Sequence, residues 1–352
     1  MTRYGTFRKP LITLYMLVGC GCLSLVTPSP DLLAKTPKGK AAPLSSAPAQ
    51  TTAVQPEHVI LFVLEGIGQD ALKGMPTLSR FVKEGSVTWN ANTVTPPQRL
   101  PAMASLFTGM PVDKHGISWN TFDFIRGYPR PPTLFDYLDL GGGRDSAIFF
   151  MDESLYQLAK PEPYTDYQMC GPLKPECSPA TIVRYVSEYF TKATSGHGYG
   201  HAIPSLPHLL IVHLPEAGRV GETRGWTSAP YRDAAKAVDQ AMGSIVEIYR
   251  ELGLLDKTVV MVTGLSGYGA SMTTANGQTD AKPLQVPWIA SGPGIKRGHA
   301  IGSPVSIIDT GATVMRTLGL TTHTEWESRP VEEIFLYPFQ AHGNQVALPS
   351  LQ

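Results

Sequence analysis

Val59-Ile60-Leu61-Phe62-Val63-Leu64 runs without a polar interruption straight into Glu65-Gly66-Ile67-Gly68. Six consecutive apolar residues are what a strand needs when both of its faces are covered, and the glycines after Glu65 mark a turn out of it. Downstream, Pro76 opens a short helix with Leu78, Phe81 and Val82 on one face, and Gly85 stops it. The same reading predicts strands over 147–151, 209–214, 259–263 and 286–290, and helices over 101–107, 180–191, 230–252 and 310–318. In the longest helix Ala234, Val238, Met242, Ile245 and Tyr249 form one stripe, so it lies amphipathically on a sheet face. Alternation of this kind is the signature of an α/β sandwich with a largely parallel sheet. In such a sheet ligands sit beyond the carboxyl ends of the strands. The candidate chemistry is therefore at Glu65, in the loop at Arg99, and over 215–222 and 264–270.

The chain has 352 residues, 42% hydrophobic and 16% charged, which supplies a sizeable core and excludes disorder throughout. Lys and Arg number 29 and so do Asp and Glu. No basic excess is available to neutralise a phosphate backbone, so no nucleic-acid partner is expected. The 34 Gly and 31 Pro fit many tight loops around a regular scaffold.

Residues 1–26 read as an export leader: Arg3, Arg8 and Lys9 precede an apolar run from Leu11 to Val26, too short for a comfortable membrane span. Within it Leu17-Val18-Gly19-Cys20 resembles the lipobox of bacterial lipoproteins, which makes Cys20 a lipidation candidate. The alternatives are an ordinary signal cut after Cys20 or Cys22, or an uncleaved anchor. Residues 27–57, rich in Pro, Ser, Ala, Thr and Lys, read as a flexible linker, 58–337 as the folded domain and 338–352 as a tail. Export places the protein in the periplasm or on a membrane as a lipoprotein. In that oxidising setting Cys170 and Cys177 are expected to pair, the alternative being two buried thiols.

The words HVILFVLEGIGQDAL (58–72), MPTLSRFVKEG (75–85), TPPQRLPAMASLFTGMPVDKHGISWN (95–120), LLIVHLPEAGRVGETRGWTSAPY (209–231), VVMVTGLSGYGA (259–270) and VPWIASGPGIKRGH (286–299) with DTGATVMRTLGL (309–320) come in a telling order. Together they resemble the alkaline phosphatase superfamily, and within it the type I phosphodiesterase and nucleotide pyrophosphatase branch. The resemblance implies a three-layer α/β/α sandwich. It also implies two zinc ions held by Asp and His ligands, and a Thr or Ser that attacks the phosphoester. Two divalent cations activate such a nucleophile, clamp the non-bridging oxygens and stabilise the leaving alkoxide, and they need about six converging protein ligands.

This sequence departs from that pattern at nearly every position that matters. The family's first-strand Asp is Glu65, and its nucleophile falls on Arg99, which stays protonated and has no free lone pair with which to attack phosphorus. The register fixed by Gly225-Trp226 puts a metal Asp on Gly218 and a metal His on Glu222; a gapped register uses Glu216 and Arg219 instead. The family's Asp-His-Gly word reads Leu265-Ser266-Gly267. No metal is expected, and no other cofactor.

None of the nine histidines takes over. His58, His197, His201, His208, His213, His299, His323 and His342 match no metal position, and His115 belongs to a loop word near the metals but not on them. Asn120 matches the family's phosphate-contacting Asn, its plainer reading being a loop cap. With the metals gone, carboxylates left at the strand ends repel one another. Arg99 is therefore expected to occupy the vacated cation site and pair with Glu65, with Glu222 or Glu216 as further partners. Otherwise it points to solvent.

Two functions follow from this. The first is a catalytically silent, exported family member that binds an anionic small molecule or a cell-envelope protein through Arg99 and Asn120. The second is a hydrolase of phosphate or sulfate esters with a relocated site, in which Thr95, Ser105 or Ser266 is the nucleophile and Glu65 a base or single-metal ligand. A serine without an adjacent His or Lys attacks poorly. Asp123, Asp136 and Asp309 read as loop or cap residues. Residues 152–208, with their Cys pair, read as an insertion that shapes access to the cleft.

Overall fold

The computed structural model describes residues 55–161, 163–170, 177–195, 205–267 and 285–338. The leader with Cys20, the linker as far as residue 54, His197, His201, His342 and the tail beyond 338 lie outside the described residues.

Among the described residues eight strands form one sheet: β1 (His58–Leu64), β2 (Gly85–Asn92), β3 (Ser146–Phe150), β4 (Thr165–Met169), β5 (Leu209–Leu214), β6 (Thr258–Gly264), β7 (Gln285–Ser291) and β8 (His299–Ala300). Their order is β4-β3-β5-β1-β6-β7-β2-β8. Only β7 runs against its neighbours β6 and β2; the other pairings are parallel. The helices are α1 (Pro76–Glu84), α2 (Arg99–Thr108), α3 (Val112–His115), α4 (Leu134–Leu140), α5 (Pro179–Ser195), α6 (Glu216–Arg224), α7 (Ala229–Glu251) and α8 (Asp309–Thr317).

The period-2 geometry of a strand divides the core in two. Val59, Leu61 and Val63 of β1 join Leu100, Met103, Phe107, Leu134, Leu138 and Val314 from α2, α4 and α8 on one face. Ile60, Phe62 and Leu64 join Leu78, Phe81, Ile182, Val238, Met242 and Ile245 from α1, α5 and α7 on the other. Ser228 Oγ caps α7 by accepting from Tyr231 N, and the buried Asp239 of α7 accepts from Thr77 N and Leu78 N, which ties α1 to it. No helix among the described residues is long and apolar enough to cross a membrane.

Three strands escape a reading by composition. β2 (GSVTWNAN) and β4 (TDYQM) are too polar to read as buried strands, and β8 has two residues. The ladder supplies what propensity does not: β2 pairs with both β7 and β8, and β4 with β3. Gly85 accordingly opens β2 in extended backbone, where a Cβ would meet the Ala290 carbonyl oxygen at 2.1 Å. Residues 152–208 include two regular elements of the sandwich. The described residues of this segment contribute the edge strand β4 and the core helix α5, whose Ile182, Val186 and Phe190 are buried on the sheet. Cys170 and Cys177 form a disulfide.

Candidate functional site

Strand parity decides which polar groups meet. Glu65 is the next odd residue after Val59, Leu61 and Val63, so it leaves β1 on the α2 side. On β5, Leu209 and Ile211 face that way, which brings His213 opposite Val63 on the same side. On β3, Ile148 and Phe150 face that way, and two residues on comes Asp152. Across from these three strand ends α2 begins, with Arg99 as its first residue.

Arg99 is locked into this cluster. Its Nε and one terminal nitrogen donate to the two oxygens of Glu65 at 2.6 and 2.8 Å, in the bidentate geometry that a guanidinium forms with a carboxylate. Its other terminal nitrogen donates to Asp152 Oδ2 at 2.6 Å. Asp152 Oδ1 accepts from both the backbone nitrogen and the hydroxyl of Ser154. His213 Nε2 lies 2.8 Å from Glu65 Oε1. The Arg99 side chain is 19% exposed and His213 is fully buried.

The charges follow from the contacts. Burial would raise the Glu65 carboxyl, but the His213 hydrogen bond and the Arg99 charge outweigh it and bring it down to about 2. Burial opposes the Arg99 charge as well, yet Glu65, Asp152 and the more distant Glu222 hold it above the usual arginine value. Burial pushes the His213 imidazole down, against the opposing Glu65 bond. An ionised Glu65 can only accept, so the neutral ring carries its proton on Nε2 and keeps a bare Nδ1, which is buried without a hydrogen-bond partner among the described residues.

Of the partners expected for Arg99, Glu65 is present and the other two are corrected. Glu216 pairs with Arg219 on its own helix, one turn along, and Glu222 is exposed and acts on Arg99 only at a distance. Asp152 takes their place. The expectations overlooked both Asp152 and His213; the signal that finds them is the parity of β3 and β5, since neither lies in a family word for a ligand.

Of the remaining metal positions, Gly218 and Leu265 carry no side-chain donor, while Ser266 and the exposed Glu222 keep a hydroxyl and a carboxylate. Gly66 adopts φ +68°, and a Cβ there would meet the Gly218 Cα at 2.5 Å; a Cβ on Gly218 would meet the Glu65 Cβ at 2.9 Å. α6 therefore packs onto the turn after β1 through two glycines, and the space for an Asp side chain at Gly218 is closed. Leu265 is fully buried in the apolar cluster, and its carbonyl accepts from Thr93 Oγ1 at 2.6 Å. Ser266 is half-buried in the turn after β6. No group of three or more metal-type ligands occurs among the described residues. Glu65, with both oxygens already taken by cationic or N–H donors, does not fit a two-zinc site.

The other candidate residues are dispersed. Ser105 is buried, with Oγ 2.8 Å from His115 Nε2. Ile117 N donates to His115 Nδ1, so Nε2 carries the proton and donates to the serine; burial brings that imidazole down to about 4. A histidine in this tautomer cannot take the serine proton. Thr95 lines a separate cavity of about 610 Å³ with Thr93, Asp113, Ser118 and Ser306. Asn120 Oδ1 accepts from Leu100 N at 2.9 Å, a cap that α2 does not receive from its own Gln98. Asp123 and Asp136 act as helix caps, and Asp309 accepts from Ser306 N and Arg329 N.

The family model of type I phosphodiesterase/nucleotide pyrophosphatase matches residues 59–280, more than half of the chain. Human ectonucleotide pyrophosphatase/phosphodiesterase 5 is similar in structure with TM-score 0.60 at 13% identity, covering 80% of this chain and 100% of that one. An inactive threonine-to-alanine variant of the murine protein, in complex with AMP, gives 0.57 at 13%, covering 76% and 96%. A protein solved with its substrate D-glucosamine-2-N,6-O-disulfate gives 0.58 at 11%, covering 82% of each chain. No curated protein matches the chain by sequence.

Proposed function

The chain belongs to the type I phosphodiesterase/nucleotide pyrophosphatase family of the alkaline phosphatase superfamily, and we propose that it is an exported, non-hydrolysing member whose cleft recognises an anion. One observation carries this reading: at the family's nucleophile position stands Arg99, held bidentately by Glu65 and again by Asp152. A guanidinium there supplies the positive charge that metals supply in active relatives, and it cannot attack an ester. The murine relative's inactive threonine variant fits the same logic, since a hydroxyl matters to that protein's activity.

The charge that replaces the metals still serves recognition. A guanidinium has five N–H groups, and the Glu65 and Asp152 contacts use three of them. The other two, the side-chain amide of the exposed Asn120 and the N-terminus of α2 supply donors for an anionic small molecule or an acidic group on a cell-envelope protein. Export rests on the charged and apolar order of residues 1–26, with Cys20 as the lipidation point.

The purified chain is expected not to turn over bis-nitrophenyl phosphate, nitrophenyl phosphate or nitrophenyl sulfate, and to gain thermal stability on addition of phosphate, sulfate or a nucleotide. Asn120→Ala should reduce that gain. Turnover at rates above an Arg99→Lys control would overturn the non-hydrolysing reading, and a flat thermal response to all three anions would overturn the anion-binding one.

A further inference from the structure

Among the exposed apolar side chains two stand far above the rest, Phe124 at 87% and Ile125 at 93%. They are neighbours on a single 3₁₀ turn, Phe124–Arg126. Phe122 and Tyr156, whose rings meet edge to face at 6.1 Å, and Tyr128 are each about half exposed around them.

The exposure is held in place. Asp123 Oδ1 accepts from Ile125 N, and its other oxygen bridges to Arg126 Nε at 3.0 Å. Asp123 N donates to Gln157 Oε1 at 2.8 Å, while Gln157 Nε2 donates to the Gly127 carbonyl. The Arg126 guanidinium lies 4.8 Å from the centre of the Trp119 ring. A turn fastened at both ends presents two large apolar side chains to water, and fixed apolar surface of this kind marks a docking site.

Its chemistry selects the occupant. An apolar tip of Phe and Ile, flanked by half-exposed Phe122, Tyr128 and Tyr156 and by Arg126 paired with Asp123, has the make-up of an interfacial anchor, with ring bodies in the acyl boundary and polar ends at the headgroups. The sequence also keeps a bilayer within reach. On the export reading, 31 residues at 27–57 separate the apolar run of the leader from β1. We propose that Phe124 and Ile125 insert into the interface of a phospholipid bilayer. The same end of the sheet carries Arg99 with Glu65 and Asp152, so a domain seated this way turns that cleft toward the headgroups. This step is independent of the non-hydrolysing reading.

The test places a reporter at the tip. In the full chain, Phe124→Trp and, as a control at the opposite end of the sheet, Leu252→Trp are each compared with the unsubstituted protein and its five tryptophans. The probe is vesicles of equal phosphatidylcholine and phosphatidylglycerol, with and without acyl-chain bromine. Phe124→Trp should shift to the blue, lose accessibility to acrylamide and be quenched by bromine several times more strongly than Leu252→Trp. Equal quenching of the two variants overturns the proposal. So does shielding of the tip that follows protein concentration without vesicles, which would assign the surface to a second copy of the chain.

Discussion

The cleft is made of charge at one end and of carbon at the other. Beyond β1 and β3, Glu65 and Asp152 keep their carboxylates and share the single cation of Arg99. Beyond β6 and at the start of α6, Leu265 is a core residue and Gly218 gives its space to the Glu65 backbone. The two halves solve one problem differently. A retained buried carboxylate needs a fixed cation, whereas a removed one can be replaced by packing. Restoring one half therefore does not restore the other.

The largest effect is expected at the charged half. Arg99→Met leaves Glu65 with the His213 hydrogen bond and Asp152 with Ser154 but removes their shared cation, and loss of one partner from a buried ion pair costs about 3–5 kcal/mol. Urea unfolding should show that loss, and adding Glu65→Gln should return part of it; equal stability of the single variant and the parent would break the contrast. The packed half is tested by Gly218→Asp, which drives a side chain into the Glu65 Cβ and should cost about 1–3 kcal/mol. Stability unchanged by that substitution would show that α6 has room for a ligand after all.

The pH response sharpens the same contrast. Glu65 has its pKa depressed to about 2, so its contribution is complete above the ordinary value of 4.5 and is lost as pH falls toward 2. His213, also depressed from 6.5, is protonated more readily in the unfolded chain, so its contribution begins to fall already below 6.5. Stability should decline in acid over both windows, and Glu65→Gln should flatten the lower one. The smallest effect is expected from Ser266→Ala, within about 0.5 kcal/mol, since its hydroxyl is in a half-buried turn; an anion-dependent thermal shift that vanished in this variant would give Ser266 a role in the cleft.

The sandwich was legible because β1, β5 and β6 are dominated by apolar runs and α7 shows its stripe in the sequence. β2 and β4 were not, because their strand character comes from neighbours and not from composition. Within the site, the meeting of Arg99 with Glu65 followed from charge balance once the family resemblance had put both residues at the cleft. Asp152 did not, because it stands in a segment without a family word, and its place depends on β3 lying next to β5. His213 was hidden by its apolar setting, where a lone histidine reads as a core residue until the register opposite Val63 is known.

Metal content tests the central claim most directly. The chain, purified without chelators and equilibrated with zinc, should retain no stoichiometric metal, because Arg99 holds the charge of the cleft and Gly218 and Leu265 offer no ligands. About two zinc ions per chain, the complement of an active relative, would contradict it.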